Sequence, residues 1–164
     1  MPTQAIQKAD LHMTAEIRDG RSKDLDQMVV LLRQLFSIEA DFTADEVCQR
    51  RGLSLMLDGC GKHRCVKVAE ADRRVVGMCT AQMLISTAEG GRVAMVEDMV
   101  VEAAYRGMGI GRRLMEAVVH WARAHGMTRL QLLADRTNFS ALDFYDRMGW
   151  HPTRLICLRR QWKP

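Results

Sequence analysis

The stretch Arg106-Gly107-Met108-Gly109-Ile110-Gly111 constrains this chain more than any other, because it joins an apolar, strand-like run at 95–101 to a helical pattern. In that pattern Ile110, Leu114, Ala117, Val118, Trp121 and Ala122 form one apolar stripe. Glycines at alternate positions remove the Cβ atoms that would keep a bound group away from the loop amides. The helix that follows brings free N–H groups and the positive end of its dipole to the same place. Such a loop suits a phosphate or pyrophosphate.

Around this loop the sequence predicts one mixed α/β domain. A strand is expected at 15–18. Ser22 or Asp24 can cap a helix running to residue 38, with Leu25, Met28, Val29, Leu32, Leu35 and Phe36 on one face. A second helix is expected at 45–58, and strands at 65–70 and 75–85 flank a hairpin-like Asp72-Arg73-Arg74. The next strand covers 93–101. After the glycine loop, the long helix is expected to stop at Gly126. A buried strand at 129–134, a short helix at 138–148 closed by Gly149, and a last strand at 154–160 complete the order. Residues 1–14 read as a loose leader and residues 15–164 as the domain.

Charge and cysteine content narrow the partners. The 24 basic and 20 acidic residues leave a net charge of +4, which mildly favours anionic ligands. The charges are interspersed, so nucleic acid is not an expected partner. Arg159, Arg160 and Lys163 read as a solvated strand edge. No apolar run approaches the roughly 20 residues that cross a bilayer, and the N-terminus lacks a secretory pattern. Neither membrane contact nor export is therefore expected. The 5 cysteines read as reduced thiols of a cytoplasmic protein. Cys60, His63 and Cys65 are close in sequence, but no second pair completes a zinc spacing, and no metal is expected.

Spacing separates the nucleotide-binding possibilities. A P-loop needs Gly-Lys-Ser/Thr, whereas Gly111 is followed by Arg112-Arg113. A dinucleotide fingerprint needs G-x-G-x-x-G at the start of a βαβ unit. Here the glycines fall at 107, 109 and 111, after β-hairpins, although Asp135 could imitate a ribose-binding acid. A third pattern accounts for more residues. Arg106-x-x-Gly109-x-Gly111 resembles the pyrophosphate motif of the GCN5-related N-acetyltransferases, the GNAT superfamily. Asn138-x-x-Ala141-x-x-x-Tyr145-x-x-x-Gly149-Trp150 resembles its second cofactor motif, with Trp replacing the more usual Phe. Val96-Glu97-Asp98-Met99-Val100-Val101 is similar to its central strand.

The resemblance implies a single-domain GNAT fold, with a mixed central β-sheet flanked by helices. It also implies acetyl-CoA as cosubstrate and transfer of acetyl to a primary amine in a ternary complex. The amides of Arg106, Gly107, Met108, Gly109, Ile110 and Gly111 would then hold the pyrophosphate. Arg112 and Arg113 would add charge, or simply cover an exposed helix face. Met99, Val100 and Val101 would pair with the pantetheine arm, and Asn138 would touch that arm or cap its helix. Tyr145 matches the family's general acid, and Glu97 is the expected base, with Asp98 or a water chain as alternatives. Strict alternation puts Glu97 with Met95 and Met99 and Asp98 with Val96 and Val100, unless a bulge shifts the register. The acceptor wall is expected from Phe36, Glu39, Asp41 and Asp98, with Phe42 nearby. His120 and His125 read as surface or helix-end residues. The expected acceptor is a small-molecule amine; the alternatives are a protein N-terminus or lysine, or a regulatory module that binds acetyl-CoA without turnover. A homodimer is left open.

Overall fold

Apolar-rich runs between 64 and 101 build three long antiparallel strands, on which the other elements pack. The computed structural model describes residues 15–39 and 41–162. Strand β1 (Glu16–Asp19) opens the chain, followed by a 3-10 turn at Ser22–Asp24, α1 (Leu25–Phe36) and α2 (Glu46–Asp58). The long strands are β2 (Arg64–Ala71), β3 (Arg74–Ser86) and β4 (Gly91–Val101). Helix α3 (Ile110–Ala124) carries the chain across to β5 (Leu130–Leu132), and α4 (Phe139–Arg147) follows. The sheet order is β1-β2-β3-β4-β5. Only the β4–β5 pair is parallel, as a helical crossover requires.

Both faces of this sheet are covered. On one face Leu114, Met115, Val118 and Trp121 of α3 meet Val76, Cys79, Ala94 and Val96. On the other, Met28, Leu31 and Leu32 of α1 and Leu53 of α2 meet Val66, Val68, Met78 and Val100. Burial on two sides explains why β2 and β3 read as nearly continuous apolar runs. The β2–β3 connection is a two-residue turn with positive φ at Asp72 (50°) and Arg73 (61°), as a type I′ hairpin requires. His125 and Gly126 end α3, and Gly126 takes a φ of 69°.

The expected elements are present with shifted ends, and one strand departs from the expectation. Strand β5 is three residues long and half-buried, because only Ala94, Met95 and Val96 offer it partners. The segment 154–160 forms no strand: it is exposed and outside every helix and sheet, since no neighbouring strand pairs with its backbone. The expected leader 1–14 and Lys163 lie outside the described residues.

A charged cluster fixes the start of the fold. Arg18 of β1 donates to Asp24 Oδ2 at 2.7 Å and Oδ1 at 2.9 Å, and also bonds Glu70 of β2. Asp24 is 2% exposed and also accepts the Arg21 N–H at 2.8 Å. Burial alone would raise the Asp24 carboxyl. The Arg18 and Arg21 hydrogen bonds and the Arg18 and Lys23 charges outweigh it, holding the carboxyl below its usual range. Asp24→Asn is expected to lower unfolding stability by about 2 kcal/mol at neutral pH, since it leaves Arg18 short of a charged partner. A folded-state pKa below the unfolded one stabilises above the unfolded pKa, and the gain is lost as pH falls through the folded value. The wild-type advantage in urea titrations should therefore shrink in acid; a pH-independent difference would rule out this charge pairing.

Candidate functional site

The site begins where two parallel strands part. Strands β4 and β5 pair through Ala94↔Leu130, Met95↔Gln131 and Val96↔Leu132, and no further. Beyond Val96, β4 continues to Val101 paired only with β3. The Val101 carbonyl accepts from Arg106 Nε at 2.9 Å, so it lies away from the β3 ladder. Alternation places the backbone groups of Met99 on the same free edge.

The glycine loop stands at the end of that edge. Gly107 and Gly109 both have φ of +77°, and nothing lies within 4 Å of where a Cβ would stand on either. The loop thus combines a backbone shape that L side chains rarely adopt with open space above it. Gly111 differs, because a Cβ there would lie 3.3 Å from Met99 Cε and 3.4 Å from the Phe144 ring. Its absence lets α3 approach β4 and α4 closely. The first main-chain bond of α3 runs from Arg113 N to Gly109 O at 3.1 Å. The preceding amides therefore have no helical acceptor.

The arginines beside the loop are spoken for. Arg112 lies 3.9 Å from Glu116, and Arg113 donates to the Ala15 carbonyl at 2.7 Å. Arg113 therefore ties α3 to the start of β1. Asn138 N-caps α4, accepting from Ala141 N at 3.1 Å, and also lines the cleft.

A bulge decides where the two strand acids go. Cys79 pairs with Met99 and Ala81 with Val96, so Thr80 alone stands opposite both Glu97 and Asp98. Asp98 accepts from Thr80 Oγ1 at 2.7 Å, and Glu97 accepts from Gln82 Nε2 at 2.9 Å. Thr80 and Gln82 share one face of β3. The successive acids therefore lie on the same face, where strict alternation would have opposed them. Their surroundings still differ. Glu97 is exposed on the cleft wall, while Asp98 sits behind it. Burial raises the Asp98 carboxyl, the Thr80 bond opposes that rise, and the Glu97 charge adds to it.

Glu39, Glu97, Asp135, Asn138 and Tyr145 line one cleft between the end of α1, the parted strands and α4. Burial, then the charges of Asp98, Asp135 and Asp41, raise the Glu39 carboxyl. Asp135 accepts from both the amide and the hydroxyl of Thr137 at 2.7 Å. The Tyr145 ring packs against Phe144 at 5.2 Å and Trp150 at 6.0 Å. Burial pushes its hydroxyl well above the ordinary phenol range, with Cys79 and Glu39 adding to the rise. Phe36 packs against Phe42 at 5.3 Å, away from the cleft lining, as is Asp41. By sequence Asp135 is only a possible ribose mimic, and the roles of Thr80 and Gln82 become visible in the structure. Their signal is a pair of polar residues two apart in the apolar run of β3. Among the described residues no three His, Cys, Asp or Glu side chains gather to hold a metal ion.

Thr80→Val should raise the Asp98 titration further, because the hydroxyl is what favours the ionised form. Carboxyl-detected NMR titration reads this; an unmoved Asp98 would show that the hydroxyl does not support the charge.

The family model "Acetyltransferase (GNAT) family" matches residues 29–150. Rattus norvegicus N-acetyltransferase family 8 member 2 is 30% identical over 86 residues, covering 52% of this chain and 38% of that protein. The chain thus matches well under half the length of that relative. Bos taurus thialysine N-epsilon-acetyltransferase is 26% identical over 143 residues, covering 81% of this chain and 82% of that protein. Among solved structures, the aminoglycoside N-acetyltransferase AAC(6')-Iy in complex with CoA superposes with a TM-score of 0.76. It is 19% identical, with 90% of this chain and 94% of that one covered. No helix among the described residues is long and apolar enough to cross a membrane.

Proposed function

The chain belongs to the GNAT acetyltransferase family, and we propose that it moves acetyl from acetyl-CoA to a small cationic primary amine. The observation that carries this reading is the cleft in which Glu39, Glu97 and Asp135 surround the approach to Tyr145. Three carboxylates beside one opening attract a cation and disfavour an anionic acceptor. The names of the thialysine and aminoglycoside enzymes, both for small amines, support the same class of acceptor.

Acetyl-CoA, as substrate, supplies an activated thioester. The amides from Gly107 to Gly111 and the first turn of α3 suit its pyrophosphate, whereas the Arg106 amide, expected to join them, donates to the Ala103 carbonyl at 3.3 Å instead. The free backbone groups of Met99 and Val101 suit the amides of its arm, while those of Val100 face the β3 ladder. In this reading Arg112 adds only long-range charge, and Asn138 positions α4. Glu97, solvent-facing and held by Gln82, takes the amine proton directly or through water. Asp98, bonded to Thr80 behind the wall, sustains the negative potential of the cleft. Tyr145, with its hydroxyl kept protonated by burial, donates to the departing sulfur.

Tyr145→Phe should lower kcat by about 10²-fold while leaving CoA affinity nearly unchanged, because only the transition state loses a donor. Steady-state kinetics with calorimetry reads both, and an unchanged chemical step would remove Tyr145 from this role. Gly109→Val should abolish CoA binding in a folded protein, since φ of +77° and a bulky side chain both oppose the loop. Glu39→Gln should raise the acceptor KM with little change in kcat. An acceptor screen favouring peptides over small polyamines or amino sugars would overturn the proposed substrate class.

A further inference from the structure

We propose that the Met99 side chain sets the length of the acyl chain that the donor can carry, holding it to short unbranched groups. The inference rests on the proposed use of a CoA thioester and adds to it the residue that selects the acyl group. The arm of such a donor, running along Met99 and Val101 from the glycine loop, would lead its thioester toward the last rung between the parallel strands, Val96↔Leu132. That rung closes the wedge between β4 and β5. An acyl chain therefore cannot extend further between the strands and must turn to one face of the sheet.

The two faces differ in chemistry. The bulge turns Glu97 and Asp98 to the face of Thr80, which alternation places with Met78, and Met78 belongs to the core under α1. Leu35 and Glu39, at and just beyond the end of α1, meet the cleft from the same side. The other face carries Val96, and Met99, Leu132 and Tyr145 pack there on the core under α3. Ala141, one turn before Tyr145 on α4, adds only a methyl group to the cleft wall. An alkyl chain favours this apolar face over the one that bears carboxylates. It is also the face of Tyr145, whose hydroxyl has to reach the departing sulfur. For any chain length the amine nitrogen bonds the thioester carbon and the C–S bond breaks. Glu97 takes the proton from nitrogen, and Tyr145 gives one to sulfur.

Met99 is the adjustable part of that wall. It is half-buried, lines the cleft and stands opposite the fully buried Cys79 in the β3–β4 ladder. Its methyl end lies 3.3 Å from where a Cβ on Gly111 would stand, and the Phe144 ring lies 3.4 Å from the same point. Glycine at this position thus gives the end of Met99 a recess between α3 and α4, in which it is seated. The recess is already filled, so further methylenes on the acyl chain meet a thioether that has nowhere to withdraw. Val96 and Leu132 are fixed by their rung, whereas the side chain of Met99 can be shortened without touching a ladder bond.

Donor binding reads the acyl group without any acceptor. In calorimetric titrations of the full chain, butyryl-CoA should bind at least about 10-fold more weakly than acetyl-CoA, as expected for methylenes that a pocket does not fit. Met99→Ala should bring the two to within about 3-fold of each other. Met99→Val, a shortening that favours strand, should move the ratio in the same direction. Leu35→Ala widens the same cleft from the α1 side and should keep the ratio of the unaltered chain. Equal affinity for both thioesters in the unaltered chain, a gap that survives both Met99 variants, or a gap closed as well by Leu35→Ala would overturn the role of Met99 and leave the CoA site standing. Failure of CoA itself to bind would instead overturn the proposed donor, and this inference with it.

Discussion

The parting of β4 from β5 is the constraint on which the rest of the site depends. A parallel pair needs a helical crossover, and that crossover is α3. The turn into α3 must therefore fall at the carboxyl end of β4, where the glycine loop stands. Two local features then keep the strands apart. The bulge at Glu97-Asp98 bends β4 and increases its twist. On β5 the chain turns after Leu132, and Asp135 accepts the Thr137 groups. Between them Val96, Glu97 and Met99 of β4, Leu132 of β5 and the Tyr145 ring come to border one opening.

The same bulge sets the electrostatics. By placing Glu97 and Asp98 on one face, it puts two carboxylates side by side and separates them by depth rather than direction. The deeper acid is raised by burial and depends on the Thr80 hydroxyl for part of its charge. Glu39, across the cleft, is raised by burial and by the other acids. Each proton that these groups retain weakens the field acting on the others. A cation entering the cleft favours the ionised form of all of them, so cation binding and proton release are linked.

Legibility in the sequence followed the range of the interactions. The amphipathic stripe of α3, the glycine loop, the β2–β3 turn and the Gly126 stop depend on neighbours a few residues away, and each was read in place. Glu39, Glu97, Tyr145 and Asn138, expected site residues, all line the cleft. The direction of Glu97 and Asp98 was not readable, because one inserted residue reverses the outcome of alternation and nothing in Val96–Val100 marks the insertion. Phe36 and Asp41 share the expected region but do not line the cleft, and Phe36 stacks on Phe42 instead. Position leaves Arg113 either adding charge near the phosphates or covering an exposed helix face, whereas it donates to the Ala15 carbonyl, 98 residues earlier.

The segment 154–160 shows the sharpest limit of such reading. Its residues favour a strand as strongly as those of β5, which does form one. The difference lies outside the segment. A helix satisfies its own backbone, whereas a strand must borrow donors and acceptors from a neighbour. Leu130–Leu132 has β4 beside it, supplied by the α3 crossover. The segment after Pro152 has left the sheet before its strand pattern begins, fastened at Trp150 by α4 and at Arg159 by the α1–α2 connection. Propensity in this chain thus records a demand for pairing, and the fold of a single copy meets that demand only where topology has already placed a partner.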